Sequence, residues 1–234
     1  MCAPPSLRRT AAGPVPGRVA GEAHHPTPLG GPNMATPTTT PTITLVTVTP
    51  NPATAGQSVT LTATVIPLGT GTPTGTVTFV VTGGPTLTGT LSGGTTSVTV
   101  PAGLSVGSYA VLANYSGDTA FSPSTGASVI IVTPSATTTS VSSAPDPSTL
   151  GQSVTFTAVV TPVAPGTGVP TGTVTFVIGG SGGGVFVQPL TSGTATLSLS
   201  TLAVGTQPVA AVYSGDTSFL PSSGTDTQTV NPAS

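Results

Sequence analysis

An eight-residue stretch that occurs twice constrains this chain more than any other feature. Pro73-Thr74-Gly75-Thr76-Val77-Thr78-Phe79-Val80 returns letter for letter as Pro170-Thr171-Gly172-Thr173-Val174-Thr175-Phe176-Val177. Val77 and Phe79 alternate with Thr76 and Thr78, the period of a strand with one buried face. Phe79 and Phe176 are each expected to anchor a core. Two further pairs repeat: Gly56-Gln57-Ser58-Val59-Thr60 with Gly151-Gln152-Ser153-Val154-Thr155, and Tyr115-Ser116-Gly117-Asp118-Thr119 with Tyr213-Ser214-Gly215-Asp216-Thr217. The offsets are 95, 97 and 98 residues along the chain. The first drift has a visible source, because Val163–Gly168 is longer than its counterpart around Leu68-Gly69-Thr70. A repeat of this length is one whole small domain per copy rather than a solenoid unit.

The strands follow at regular spacing within each copy. The first copy reads as strands over Ile43–Thr49, Val59–Val65, Thr76–Val81, Thr86–Leu91, Thr95–Val100, Gly107–Tyr115 and Gly126–Val132. The second reads as strands over Thr138–Ser143, Ser153–Val160, Gly172–Ile178, Val185–Leu190, Ala195–Leu199, Gly205–Tyr213 and Gly224–Val230. Short alternating strands with turn signals every 8–12 residues are the pattern of an immunoglobulin-like sandwich. The expected fold is all-β: two tandem immunoglobulin-like β-sandwiches of about seven strands each, after a disordered N-terminal tail. The expected boundaries are a tail over 1–40, a first domain over 41–133, a linker over 134–138 and a second domain over 139–234. The second core is expected from Val154, Phe156, Ala158, Val160, Val174, Phe176, Leu197, Leu199, Val209, Ala211 and Tyr213. Pro208, inside a strand, and Gln207, in place of Tyr109, point to a less well-packed second domain.

Charge is nearly absent. Only 3% of residues are charged, against roughly a quarter in an average domain. Arg8, Arg9, Arg18 and Glu22 all lie in the first 33 residues, for a local charge of +3 − 1 = +2. From Met34 onward the only charged side chains are Asp118, Asp146, Asp216 and Asp226, a charge of −4. Residues 1–40 show no periodicity that could bury apolar surface and are expected to stay disordered. Pro14, Pro16, Gly13, Gly17 and Arg18 break any apolar run after Arg8-Arg9, so neither a signal peptide nor a twin-arginine signal is evident. Codons for Gly30-Gly31 can contain a ribosome-binding sequence, which makes Met34 a candidate start. A native peptide from upstream of Met34 would refute that start. No run of 18 apolar residues occurs, so membrane insertion by a helix is not expected.

The chemical inventory is short. From Met34 onward there is no His, Cys, Lys, Arg or Glu. Acid–base catalysis and nucleophile activation need such groups, so no catalytic residue and no cofactor is expected. Asp118 and Asp216 each follow Ser-Gly in a turn, where a carboxylate caps backbone amides. One Asp per turn is a poor calcium site, and His24-His25 in a tail is a weak metal site. Asp146 stands where the first copy has Asn51, beside prolines in both copies, again a backbone role. Tyr115 and Tyr213 are expected as half-buried rings closing one end of each sandwich. Cys2 is a lone thiol, and Asn114-Tyr115-Ser116 fits a glycosylation pattern only within a strand. A surface without Lys or Arg cannot neutralise phosphates, so no nucleic acid is expected as partner. The one loop with a candidate binding residue is Gly179–Val187, where Phe186 is expected to be exposed.

Taken together, Pro52-x-x-x-Gly56-Gln57-Ser58-Val59-Thr60, Pro-Thr-Gly-Thr-Val-Thr-Phe and Gly107-x-Tyr109-x-Val111-x-Ala113-x-Tyr115-Ser116-Gly117-Asp118 resemble the bacterial Ig-like domain repeats of surface and secreted proteins. The resemblance spans roughly residues 42–234. It implies an extracellular or cell-surface location, without an evident signal peptide or anchor in the sequence. It also implies a non-catalytic spacer or stalk, with adhesion to a protein or polysaccharide through end loops or a strand edge as the alternative. The partners it implies are further Ig-like repeats or a surface-attached protein, with the chain itself expected as a monomer. Val230-Asn231-Pro232-Ala233 resembles Val132-Thr133-Pro134-Ser135, where the next repeat begins.

Overall fold

The structure, a computed structural model, describes residues 38–233. The expected tail through Pro37, with Cys2, the three arginines, His24, His25 and Met34, lies outside the described residues. Among the described residues every regular element is a β-strand, and no helix is long and apolar enough to cross a membrane.

In the first copy the strands are β1 (Thr42–Thr49), β2 (Ala53–Thr54), β3 (Val59–Pro67), β4 (Thr76–Val81), β5 (Thr86–Thr90), β6 (Thr95–Val100), β7 (Gly107–Tyr115) and β8 (Ser124–Thr133). They form a three-stranded sheet, β1-β3-β6, and a five-stranded sheet, β2-β8-β7-β4-β5. The alternation read from the sequence decides which side chains lie between them. On β3, Val59, Leu61, Ala63 and Val65 are buried, while Thr60, Thr62 and Thr64 point away. Val77 and Phe79 on β4, with Val111, Ala113 and Tyr115 on β7, close the core from the other sheet. Phe79 is wholly buried; a ring of that size contributes about 1.5–3 kcal/mol through burial alone.

The second copy repeats the plan. Its strands are β9 (Thr137–Ala144), β10 (Ser148–Thr149), β11 (Val154–Pro162), β12 (Thr173–Ile178), β13 (Gly184–Pro189), β14 (Thr194–Leu199), β15 (Gly205–Tyr213) and β16 (Ser222–Asn231). The sheets are β9-β11-β14 and β10-β16-β15-β12-β13. The expected core residues are buried, except Leu199, which is partly covered and packs against the rest.

The two-residue strands β2 and β10 are additions to the expected set. Each pairs parallel with the last strand of its sandwich. The first strand therefore splits at the Pro-flanked turn and changes sheet. Asn51 guides the switch: its Nδ2 donates to the Val129 carbonyl at 2.8 Å and its Oδ1 accepts the Ile131 N–H at 2.9 Å. Asp146 keeps only the accepting half, from the Thr229 N–H at 2.9 Å. The residues just before β1 also belong to the fold. The Thr40 N–H donates to the Ala120 carbonyl, and the Thr40 carbonyl accepts the Ser122 N–H. Pairing with the turn before β8 orders Thr40, so the expected tail boundary at residue 40 falls slightly too late.

The substitutions in the second core have a definite geometry. The Tyr109 hydroxyl donates to the Ser105 carbonyl at 2.8 Å, the bond of an immunoglobulin tyrosine corner. Gln207 reproduces it, with Nε2 donating to the Ala203 carbonyl at 2.9 Å. Opposite Gln207 on β16 is Gln228, wholly buried, where the first copy pairs Tyr109 with Ile130. Gln228 Nε2 donates to the Pro145 and Thr229 carbonyls and to Ser148 Oγ. The Oε1 atoms of both glutamines are buried without a partner. Pro208 costs no ladder bond. Its carbonyl accepts the Gly179 N–H, just past the end of β12, and its nitrogen points to the same side, beyond the last paired residue.

Candidate functional site

The two repeated motifs, more than 30 residues apart in the chain, interlock in space. Asp118 lies in the turn after β7, and Thr74 lies just before β4. Asp118 Oδ2 accepts the Thr74 N–H at 2.9 Å and the Thr74 hydroxyl at 2.7 Å. Its Oδ1 accepts the N–H groups of Ala120 and Phe121, both at 2.8 Å. Ser116 Oγ accepts the Thr76 N–H at 3.2 Å and donates to the Gly117 carbonyl at 3.0 Å. The arrangement recurs around Asp216, which accepts from Thr171, Ser218 and Phe219. Gly75 carries φ of 93°, and a Cβ there would lie 3.0 Å from Ser116 Oγ. The Pro-Thr-Gly-Thr stretch and the Tyr-Ser-Gly-Asp stretch are thus two halves of one clamp.

The clamp's electrostatics follow from these bonds. The hydroxyl of Thr74, then its N–H and the amides of Ala120 and Phe121, hold the Asp118 carboxyl well below the usual carboxylate range against a smaller opposing effect of burial. Burial pulls the Asp216 carboxyl upward, but its bonds to Thr171, Ser218 and Phe219 outweigh it and the net shift is downward. A carboxylate depressed this way is a weak base at neutral pH. Beneath each clamp lies a tyrosine. Tyr115 and Tyr213 are almost completely buried, so the expectation of half-buried rings is corrected and neither offers a stacking face. Burial first, then the charge of the neighbouring Asp, pushes each phenol up to about 12. Neither hydroxyl has a hydrogen-bond partner.

The remaining carboxylates are engaged as well: Asp146 on the Thr229 amide, and Asp226 on the Ser143 hydroxyl at 2.9 Å. Among the described residues no three His, Cys, Asp or Glu side chains come together. A shallow open groove of about 550 Å³ on the second sandwich is walled by Val177, Pro208, Ala210, Thr225 and Asp226. Phe121 and Phe219, outside the expected core, are both buried under their turns. The signal was there: Gly-Asp-Thr-x-Phe occurs in both copies.

Phe186 requires a correction. It lies opposite Phe176 on β13 and packs against the second core. The exposed neighbours are Val185, at 67%, and Val187, at 60%. The glycine run 182–184 gives no alternation from which to set the phase of this strand, so the sequence could not say which side chains point outward. Strand β13 is the outer strand of its sheet.

The sequence profile of the bacterial Ig-like domain (group 3) family matches residues 46–133 and again residues 141–231. No curated protein sequence matches the chain. Among solved structures, the chain is similar to invasin, a bacterial integrin-binding protein, at 15% identity with a TM-score of 0.55, covering 81% of this chain and 39% of that one. A two-domain fibronectin type III segment of chicken tenascin aligns at 16% identity with a TM-score of 0.42, covering 77% and 96%. The Yersinia pseudotuberculosis adhesin InvE aligns at 18% identity with a TM-score of 0.39, covering 80% and 58%. The likeness to invasin supports the sandwich fold and nothing beyond it.

Proposed function

Because the chain belongs to the bacterial Ig-like domain (group 3) family through both of its sandwiches, we propose that it is a non-catalytic structural spacer of a bacterial surface or secreted protein. The observation that carries this reading is the use of its carboxylates. Asp118, Asp146, Asp216 and Asp226 each hold backbone amides or hydroxyls in place, so the acidic groups among the described residues are committed to holding turns and strands together. Hydroxyl pairs across strands, such as Thr62 with Ser97 and Thr155 with Ser198, cover the three-stranded sheets where other domains place charges. The test is fractionation of the native cells into cytoplasm, surface and medium, with intact-mass detection of the chain. Surface or secreted material is expected. A species confined to the cytoplasm would overturn the reading.

A second reading, adhesion, is favoured by one feature. Strand β13 is an outer strand whose outward side chains are Val185, Val187 and Pro189, whereas its counterpart β5 presents Thr86, Thr88 and Thr90. An apolar outer strand can accept a partner's strand by β-addition. The double substitution Val185→Lys with Val187→Lys should then abolish capture of a surface partner while leaving the far-ultraviolet circular dichroism unchanged. Phe186→Ala is unsuited to the same purpose, because it would damage the core.

A further inference from the structure

The longer loop of the second copy reaches the first sandwich. Residues Leu68-Gly69-Thr70-Gly71 of the first copy correspond to Val163 and Gly166-Thr167-Gly168 of the second, with Ala164-Pro165 as the extra pair. The correspondence holds in space: Gly71 lies against the Phe121 ring as Gly168 lies against Phe219. The loop is seated on the connection between the sandwiches. The Val163 N–H donates to the Ala136 carbonyl at 2.8 Å and the Gly166 N–H to the Val163 carbonyl at 3.0 Å. Ser135 is wholly buried beneath it, and a Cβ on Gly166 would fall 1.8 Å from Ser135 Oγ. From this seat the tip extends to the β2–β3 turn of the first sandwich. Thr167 Oγ1 donates to the Gly56 carbonyl at 2.6 Å, and the Thr167 N–H donates to the Ala55 carbonyl at 3.4 Å.

The contact is fitted to a glycine. Gly56 has φ of 82°, and a Cβ there would lie 2.2 Å from the Thr167 carbonyl oxygen. Gly151, its counterpart in the second copy, has φ of 83° and no described atom within 4 Å of where a Cβ would stand. Both turns have the same backbone and the same Gln bond, Gln57 to the Thr54 N–H and Gln152 to the Thr149 N–H. They differ in whether a Thr-tipped loop lies over them.

We propose that this contact is a specific joint between modules: the Gly-Thr-Gly tip of the second sandwich seats in the Gly56 turn of the first and fixes the angle between them. The connection itself is short, from Thr133 at the end of β8 to Thr137 at the start of β9. With Ser135 held by the Ser218 carbonyl and the Leu220 N–H, little backbone is left free to bend. The joint rests on the spacer reading for its purpose, since a spacer must hold its reach. Its existence is measurable without that reading.

The twin glycines supply the control. Gly56→Ala and Gly151→Ala incur the same positive-φ strain, but only Gly56→Ala must displace Thr167. Residual dipolar couplings of the full chain would report one common alignment tensor for both sandwiches in the wild type and in Gly151→Ala. In Gly56→Ala and in Thr167→Val the second sandwich should lose the common tensor, while amide shifts within each sandwich stay native. If Gly56→Ala does not fold, Thr167→Val decides. Independent tensors in the wild type, equal behaviour of the two glycine variants, or a common tensor that survives Thr167→Val would overturn the joint. None of these outcomes bears on cellular location, so the spacer reading stands or falls by fractionation alone.

Discussion

A single amide nitrogen separates Asn51 from Asp146. Asn51 both donates and accepts across the turn, to Val129 and from Ile131. Asp146 has no donor to offer and keeps only the Thr229 amide. Asp146→Asn should restore the missing bond and stabilise the second sandwich by about 1 kcal/mol, the usual net worth of a hydrogen bond. An upward shift of its denaturation midpoint would show it; an unchanged or lower midpoint would refute the turn's assigned role. At the clamp the direction reverses. Asp216 gathers four donors from Thr171, Ser218 and Phe219, so Asp216→Ala should cost about 2 kcal/mol, with much of the loss left on unpaired amides. Thr171→Val removes one hydroxyl bond and should cost about half as much. Equal losses in the two variants would mean that the carboxylate does not organise the turn.

At the scale of elements, the strands with clean alternation were legible in the sequence and those without it were not. Thr76–Val81, Thr95–Val100 and Gly107–Tyr115 match the expected strands residue for residue, because apolar residues recur at every second position and Gly75, Gly94 and Gly107 mark where the runs open. Strands β2 and β10, at two residues each, are too short to carry a period. The clamp was half legible: each motif was visible through its repetition, but the bond between Thr74 and Asp118 spans 44 positions and only folding brings them together. In the second core the pattern shows the positions of two inward polar residues but not their hydrogen bonds. At Gln207 and Gln228 the alternation places polar residues facing inward, and the structure buries both, each with an unpartnered oxygen. Each such oxygen costs about 1–3 kcal/mol. Native-state hydrogen exchange should therefore find strand β15 opening at lower free energy than β7. Equal protection of the two strands would show that the buried amides cost nothing.

For the whole molecule, the scarcity of charge determines how stability responds to pH. From Met34 onward the sequence has no cationic side chain, so no ion pair exists within the sandwiches to be lost by titration or screened by salt. The clamp carboxylates and the tyrosines beneath them respond to pH. Asp118 and Asp216 are depressed in the folded chain. Their contribution is complete above the ordinary carboxylate value near 4 and is lost as the pH falls below it. Tyr115 and Tyr213 are raised to about 12. Their contribution is complete below the ordinary phenol value near 10 and is lost as the pH rises from there through the folded value. Stability should consequently be flat between about pH 5 and pH 9 and fall on both sides, by linkage. Two substitutions separate the limbs in the second sandwich. Asp216→Asn should flatten the acid limb at a lower plateau, because one amide oxygen cannot replace two carboxylate oxygens. Tyr213→Phe should flatten the alkaline limb with little change at pH 7, since the hydroxyl it removes has no partner. Denaturant midpoints across the pH range would read both, and an alkaline limb that persists in Tyr213→Phe would place its origin outside the clamp.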